Sequence, residues 1–113
     1  MHGIYLADPY ITWTSAEKKL ARKAFEKAYE AECATITAEA NRMIASAKTP
    51  SDIWLVHDYL SERRKAVDLI YDYRYSVLIQ VFARLLRDGW LTEADFDGID
   101  KEKVDSIIQI ASL

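Results

Sequence analysis

The chain has 113 residues, and only three of them are glycine and two are proline. Sandwiches and barrels need a turn every roughly 8 to 12 residues, and phosphate-binding loops need glycine where the backbone approaches the ligand, so the composition argues against both. Fifteen Lys and Arg against eighteen Asp and Glu give a net charge of −3, which leaves no basic excess for binding nucleic acid. The sequence therefore predicts one mostly helical domain.

Residues 1–12 show no helical periodicity and are predicted to form an irregular N-terminal arm. The arm contains Gly3 and Pro9, and several large apolar residues favour its docking onto the rest of the chain: Ile4, Tyr5, Leu6, Tyr10 and Ile11. It carries no charged-then-apolar leader, and the chain has no apolar run approaching about 18 residues. We therefore expect a cytoplasmic protein with no integral membrane segment.

A long first helix is predicted from Ser15 to about Ala47, because this stretch lacks Gly and Pro and follows a Thr14–Glu17 capping box. Its length of roughly 45 to 50 Å exceeds what a globule of this size can wrap. An apolar face runs along it beside a strip of small residues; the face comprises Phe25, Tyr29, Ile36, Ala40, Met43 and Ala47, and the strip Ala21, Ala24, Ala28 and Ala31. The pattern predicts antiparallel pairing within a subunit, between subunits, or both, which makes Phe25, Tyr29, Ile36 and Met43 candidates for a homodimer interface.

A second helix is predicted from Pro50 to about Ile70, with Thr49 as its cap. One side, formed by Ile53, Val56, Leu60 and Val67, is the expected core face. About 100° round the helix lies a second line, called here the motif stripe, with the pattern W-x-x-H-D-x-x-S-x-x-R; its members are Trp54, His57, Asp58, Ser61, Arg64, Lys65 and Asp68.

The motif stripe has two competing interpretations. A tryptophan among charged and hydrogen-bonding side chains is typical of an anchor at a protein interface. Alternatively, Trp54 packs under the first helix and Asp58 makes ordinary local pairs. Periodicity alone does not separate the two.

The same residues do not favour catalysis or metal binding. His57 and Asp58 are neighbours and hence about 100° apart on a helix, so they are not expected to form a dyad, and no glycine-rich turn offers an oxyanion hole. His2 and His57 are the only histidines, and no Cys or His spacing matches a metal site. Cys33, the only cysteine, is expected to be a packing residue rather than a nucleophile. We expect no enzyme activity, no cofactor and no metal.

The remaining sequence predicts a small helical head over residues 71–113, joined to a stalk over residues 13–70. An amphipathic pattern runs from Arg74 to Leu86, with Gly89 ending the helix, and shorter helices follow Thr92 and Asp100. Whether the second and third helices are continuous is left open. Three closely spaced tyrosines, Tyr71, Tyr73 and Tyr75, favour partial burial at a helix junction over a ligand platform.

The W-x-x-H-D-x-x-S-x-x-R block, together with residues 71–77 and 81–89, resembles the fluorescence recovery protein family of cyanobacteria. The first helix agrees at Trp13, Thr14, Glu17 and Phe25, so the resemblance covers about residues 13–113. It implies an all-α homodimer with a long-helix stalk and a C-terminal helical head.

The resemblance also implies a non-enzymatic function. Such proteins bind the photoactivated orange carotenoid protein, speed its return to the inactive orange form and so end phycobilisome quenching. Trp54, His57, Asp58 and Arg64 match the residues that the family uses at or beside its dimer interface and for partner binding, with Trp54 and Arg64 expected in the interface itself. A cytoplasmic location, peripheral to the thylakoid membrane, follows if the source is cyanobacterial.

The chain departs from the family in the head. Gln80 stands where the family has an aromatic residue, Ser106 lies near an expected lysine, and Tyr73 and Tyr75 replace polar residues. An alternative therefore stays open: a helical dimer of the same build that binds another protein, such as a different carotenoid-binding domain, and does not act on the orange carotenoid protein.

Overall fold

A computed structural model describes Asp8 and residues 10–113 of the chain. Over this part the elements are helical, which confirms the all-α class: α1 Ser15–Ser46, α2 Pro50–Ile70, α3 Leu78–Arg87, a 3₁₀ helix Glu93–Phe96 and α4 Lys101–Ala111. Of the predicted arm, Gly3, Ile4, Tyr5, Leu6 and Pro9 lie outside the described residues. Within it, Ile11 packs against the core, whereas Tyr10 is 88% exposed.

The helical hairpin of α1 and α2 gives the molecule its length. The predicted capping box is present at the start of α1, where Thr14 Oγ1 accepts from the Glu17 amide at 3.1 Å and Glu17 Oε1 accepts from the Thr14 amide at 2.9 Å. The 32 residues of α1 extend about 48 Å in a molecule 53 Å long. A three-residue link ends at Thr49, which caps α2, and α2 returns along the distal half of α1.

The face of α2 that packs against α1 differs in part from the predicted core face. Val56 and Val67 are buried as expected, but Ile53 is 48% and Leu60 42% exposed. The contact line instead passes through Arg63, whose guanidinium Nη2 lies 2.6 Å from a carboxylate oxygen of buried Glu32 on α1. Because this ion pair turns α2 toward Arg63, Ile53 and Leu60 are left at the edge of the hairpin.

The head core is built by α3, the 3₁₀ helix and α4 around Phe82, Phe96, Leu78, Leu85 and Ile107, each with less than 2% exposure. The first half of α1 belongs to the same core, because Trp13 and three small residues, Ala21, Ala24 and Ala28, are buried in it. Ala31, predicted to continue the small-residue strip, is exposed. The predicted stalk (residues 13–70) and head (residues 71–113) are therefore consecutive in the sequence but share one hydrophobic core.

The chain breaks between α2 and α3, and α3 begins at Leu78 rather than at Arg74 as predicted. Arg74 is held outside the helix by a two-pronged pair with Asp72, and the carbonyl of Tyr75 accepts a hydrogen bond from the Trp13 indole at 3.2 Å. Tyr71 and Tyr73 pack edge-on against Phe25, with ring centroids 5.4 and 4.8 Å away. Partial burial at a helix junction is thus the correct interpretation of these two tyrosines.

The end of α3 follows the predicted glycine-terminated motif. Gly89 has φ +85°, its amide donates to the Leu86 carbonyl at 3.1 Å, and the Trp90 amide donates to the Leu85 carbonyl at 2.9 Å. Within the described residues, no helix is both long enough and apolar enough to cross a bilayer.

Two glycines at positive φ offer a matched pair of substitutions. Gly89→Ala, where a new Cβ meets nothing within 4 Å, should cost about 1 kcal/mol for the left-handed backbone alone. Gly98→Ala, at φ +93° with the new Cβ 2.8 Å from Leu20 Cδ1, should cost about 2 kcal/mol because Leu20 must also move. Urea unfolding measures both costs. Equal values would show that the Leu20 side chain moves aside without a measurable loss of stability.

Candidate partner-binding surface

The motif stripe faces away from the chain's own core. Trp54 is 66% exposed, and the side chain of Arg64 is 80% exposed. His57 and Asp58 are similarly accessible. The interpretation in which Trp54 packs under the first helix is therefore wrong for the single chain, and most of the indole surface is exposed on the stalk.

The side chains of the motif stripe make only a few weak contacts with one another. The rings of Trp54 and His57 meet edge-on with centroids 6.5 Å apart, and Arg64 Nε lies 3.2 Å from Asp68 Oδ2. His57 Nδ1 approaches Asp58 Oδ1 to 3.5 Å, closer than expected for neighbours on a helix, but this is the outer limit of a hydrogen bond between exposed groups. Most of the donor and acceptor capacity of the stripe thus remains available to a partner.

The motif stripe has two edges with different neighbours. His57 and Arg64 lie on one line with the exposed Ile53 and Leu60, since positions 53, 57, 60 and 64 follow at spacings of 4, 3 and 4. Trp54 lies on the other edge, farther from α1. One edge is therefore continuous with exposed apolar surface, whereas the other faces outward.

The predicted interface residues on α1 occupy unequal environments. Phe25 is half-buried and packs on tyrosines of its own chain, and Tyr29 is 45% exposed with its ring edge-on to Tyr71 at 5.2 Å. Ile36 and Met43 are half-buried where α1 meets α2. Phe25 thus contributes to the junction of stalk and head within one chain, and the more distal residues are the ones placed beside α2.

Glu32 is a positioning residue that sequence reasoning missed. Its side chain is only 4% exposed and joins three segments, accepting from Arg63 Nη2 at 2.6 Å and from the Tyr71 hydroxyl at 2.9 Å. Burial, with the hydrogen bond to Glu32 added to it, raises the pKa of Tyr71 far above its ordinary value. The available signal was its spacing, because Glu32 lies seven residues after Phe25 and four before Ile36, within an apolar face.

Glu17 is a second organising residue with more than its predicted capping role. Besides the Thr14 amide, its carboxylate accepts from the amide of Asp100 at the start of α4 at 2.9 Å and from Lys103 Nζ at 3.0 and 3.1 Å. Burial favours a higher pKa, but the bonds from Thr14, Asp100 and Lys103 outweigh it and lower the pKa of Glu17 from 4.5 to about 2. One carboxylate therefore holds the starts of α1 and α4 together.

The structure thus combines an all-helical stalk and head with an exposed aromatic and charged stripe on the hairpin, a composition typical of protein-binding surfaces. A family model described as "Photoprotection regulator fluorescence recovery protein" matches residues 13–111. The chain belongs to the fluorescence recovery protein family, a family of regulators rather than enzymes.

Individual relatives agree over most of their length. The fluorescence recovery protein of Synechocystis sp. PCC 6803 is 34% identical over 101 residues, which span 89% of this chain and 93% of that protein. The structure of the Fremyella diplosiphon fluorescence recovery protein matches with a TM-score of 0.85 at 35% identity, covering 90% of this chain and all of that one. The Synechocystis structure gives a TM-score of 0.85 at 33% identity with the same coverage. The predicted family and fold are thus confirmed, while the roles of the motif residues remain predictions.

Proposed function

We propose that this protein binds the photoactivated orange carotenoid protein and accelerates its return to the inactive orange state, ending phycobilisome quenching. We further propose that it acts in the cytoplasm and, if the source is cyanobacterial, at the periphery of the thylakoid membrane. The observation that carries the proposal is the exposed W-x-x-H-D-x-x-S-x-x-R stripe on a chain of the fluorescence recovery protein family. A protein of this kind needs no reaction chemistry. It speeds relaxation by binding the transition state between the active and inactive forms of its partner more tightly than the active form.

The geometry of the motif stripe suits that task. Trp54 supplies a rigid aromatic surface, and Arg64 supplies a planar cation for a carboxylate or carbonyl of the partner. Both project from a hairpin whose rotation is fixed by the ion pair between buried Glu32 and partly exposed Arg63. A stiff support lowers the entropy lost on binding, so more of the contact energy is available to favour the relaxing state.

The direct test follows the visible absorbance of an orange carotenoid protein after illumination, with and without this chain. We expect faster recovery of the orange form with the chain present. Arg64→Ala should reduce the acceleration roughly tenfold, because it removes a charge-assisted contact. Trp54→Ala should have a similar effect through lost contact area.

Matched controls come from exposed residues outside the motif stripe. Arg42→Ala removes another exposed arginine, which pairs with Glu39 on α1, and Leu69→Ala removes a side chain that is 84% exposed on α2. Both controls should act like the unchanged protein. Full activity of a folded Arg64→Ala variant would remove Arg64 from the proposed site.

The second candidate function is binding of a different protein by the same stalk and head. It is favoured by one observation: two of the four positions at which the head departs from the family, Gln80 and Ser106, line the same groove. An unchanged recovery rate in the mixing experiment, with the chain folded, would select this second function.

We also propose that the working form is a homodimer, joined through the edge of the hairpin that carries Ile53 and Leu60. These two apolar side chains are about half exposed in the single chain. They lie on one line with His57 and Arg64, so a second copy would cover apolar surface and charged groups together. The distal half of α1, with Ile36 and Met43, would complete the same face.

The dimer proposal has a matched pair of substitutions. Leu60→Glu should convert the dimer to monomers at micromolar concentration, because it places a charge in the apolar part of the interface. Leu69→Glu is the control, since nine residues along a helix place Leu69 about 180° from Leu60. Sedimentation velocity measures both, and a Leu60→Glu variant with unchanged mass would contradict this interface.

A further inference from the structure

The head contains a groove that lies outside the stalk and its motif stripe. Its volume is about 510 Å³, and it runs between residues 10–12, the start of α3 and the exposed side of α4. Three isoleucines contribute apolar lining, Ile11, Ile79 and Ile110, and the rest of the lining is mostly polar. The groove therefore offers apolar contact and hydrogen-bonding groups together, which is the usual character of a recognition site.

The electrostatics of the groove are acidic. Lys103 is the one cation among the described lining residues, and its ammonium is already held by Glu17 at 3.0 and 3.1 Å. Asp100 and Glu102 line the same groove, are exposed, and make no ion pair within the described part of the chain. Among the residues that the structure describes, neither carboxylate therefore has a neutralising partner in the groove.

Gln80 adds an unused donor to the groove. It lines the wall, and its amide Nε2 is fully buried without a hydrogen-bond acceptor among the described residues. A buried donor without a partner is unfavourable, so such a group is rare unless something else supplies the acceptor. Because Gln80 lines the groove, a half-turn about its last side-chain bond is the movement by which a carbonyl oxygen bound there would become the acceptor of this amide.

We propose that this groove binds an extended, cationic segment of a partner protein. A main-chain carbonyl of the segment accepts from Gln80 Nε2, its basic side chains face Asp100 and Glu102, and its apolar side chains cover the isoleucines. An extended chain suits this arrangement because successive side chains point to opposite sides, so basic and apolar residues in alternation reach the two kinds of surface. The inference rests on the proposed function only in that the chain acts by binding a protein.

Side-chain amides provide a direct readout of occupancy. The sequence contains two glutamines, Gln80 and Gln109, both of which line the groove, and one asparagine, Asn41, on the distal part of α1. A ¹⁵N-labelled protein thus gives three side-chain amide pairs in a proton–nitrogen correlation spectrum, two in the groove and one remote. The probe is a blocked nonapeptide of alternating lysine and valine, compared with the same peptide carrying glutamate for lysine.

We expect the lysine peptide to shift both glutamine pairs in a saturable manner and to leave Asn41 in place, and the glutamate peptide to shift neither. Asp100→Asn with Glu102→Gln should weaken the lysine peptide by roughly threefold to tenfold, as expected for two exposed charges. The control, Glu62→Gln with Asp97→Asn, makes the same change in net charge at exposed positions elsewhere. Equal weakening by the control pair, or unmoved glutamine signals with millimolar lysine peptide, would overturn the proposal.

A single substitution separates recognition from stability. Gln80→Leu removes the orphan donor, so it should raise the thermal midpoint of the free protein while weakening the lysine peptide. If the Gln80→Leu variant loses both stability and peptide binding, the substitution has disturbed the fold. Gln80→Met, which also lacks the donor but keeps an unbranched side chain, then repeats the test. Failure of peptide binding alongside unimpaired acceleration of orange carotenoid protein recovery would overturn this inference alone, whereas peptide binding with no acceleration would overturn only the proposed partner.

Discussion

Replacing Glu32 by glutamine should lower the free energy of unfolding by about 2 to 3 kcal/mol. The carboxylate is only 4% exposed and has two partners, the Arg63 guanidinium at 2.6 Å and the Tyr71 hydroxyl at 2.9 Å. Removing its charge leaves Arg63 without a counter-ion in a partly buried site, and an amide cannot accept both hydrogen bonds as well. The expected cost lies below that of a fully buried pair, because the Arg63 side chain is 34% exposed.

Glu39→Gln is the matched control for this prediction. Glu39 lies seven residues farther along the same helix and pairs with Arg42, but that arginine side chain is 65% exposed. Exposed pairs three residues apart contribute little, so the urea midpoint of this variant should stay close to that of the unchanged protein. Similar losses in the two variants would show that Glu32 and Arg63 contribute no more than a surface pair.

The same substitution connects stability with function. Arg63 and the residues of the motif stripe belong to one helix, so the contact that fixes Arg63 on α1 also fixes the direction in which Trp54 and Arg64 project. Glu32→Gln should therefore reduce partner binding without altering any group that touches the partner. Glu32 acts as a positioning residue for the surface, even though it lies under the hairpin.

The helix ends were predictable from sequence because their determinants are local. Thr14 with Glu17, Thr49 with Pro50, and Gly89 each act within one turn of the backbone, and the structure has α1, α2 and the end of α3 at the predicted places. The start of α3 was mispredicted because apolar spacing continues backward through the segment that follows α2. That segment is held outside a helix by Trp13, which is 62 residues from its acceptor Tyr75.

The rotation of α2 was not predictable from its own periodicity. An apolar pattern through Ile53, Val56, Leu60 and Val67 gives a reasonable core face, but the competing line through Arg63 is stabilised by a carboxylate 31 residues away. The choice between two adjacent faces depends on one partly buried ion pair between residues distant in the sequence. Sequence patterns report which residues share a face and leave open which face the tertiary contacts select.

The motif stripe was predictable as a set but not in its environment. Periodicity placed Trp54 and Arg64 on a common side of the helix, and the structure adds that this side is exposed and that its inner edge continues into Ile53 and Leu60. The proposed dimer contact uses the edge that carries Ile53 and Leu60, and the proposed partner contact of Trp54 lies on the neighbouring edge of the same helix. A partner that displaces or reinforces the second copy would reach both edges at once.

Acidification should destabilise the fold through Glu17. Burial opposes the charged form of this carboxylate, but the amides of Thr14 and Asp100 and the ammonium of Lys103 stabilise it more strongly and hold its pKa near 2, against 4.5 for a free side chain. A group whose pKa is lower in the folded state stabilises the fold above its unfolded pKa and loses that contribution as the pH falls. The shift corresponds to about 3 kcal/mol, fully present above roughly pH 5 and lost progressively as the pH falls from 4.5 toward 2.

Glu17→Gln isolates this contribution from that of the other carboxylates. At pH 7 the variant should be less stable than the unchanged protein by about 3 kcal/mol, and the difference should shrink steadily as the pH falls, because the protonated carboxyl and the amide become alike. Urea unfolding followed by circular dichroism at several pH values between 2 and 7 measures the difference directly. A gap that stays constant over this range would mean that Glu17 contributes by shape and hydrogen bonding alone, and that the joint between α1 and α4 does not depend on its charge.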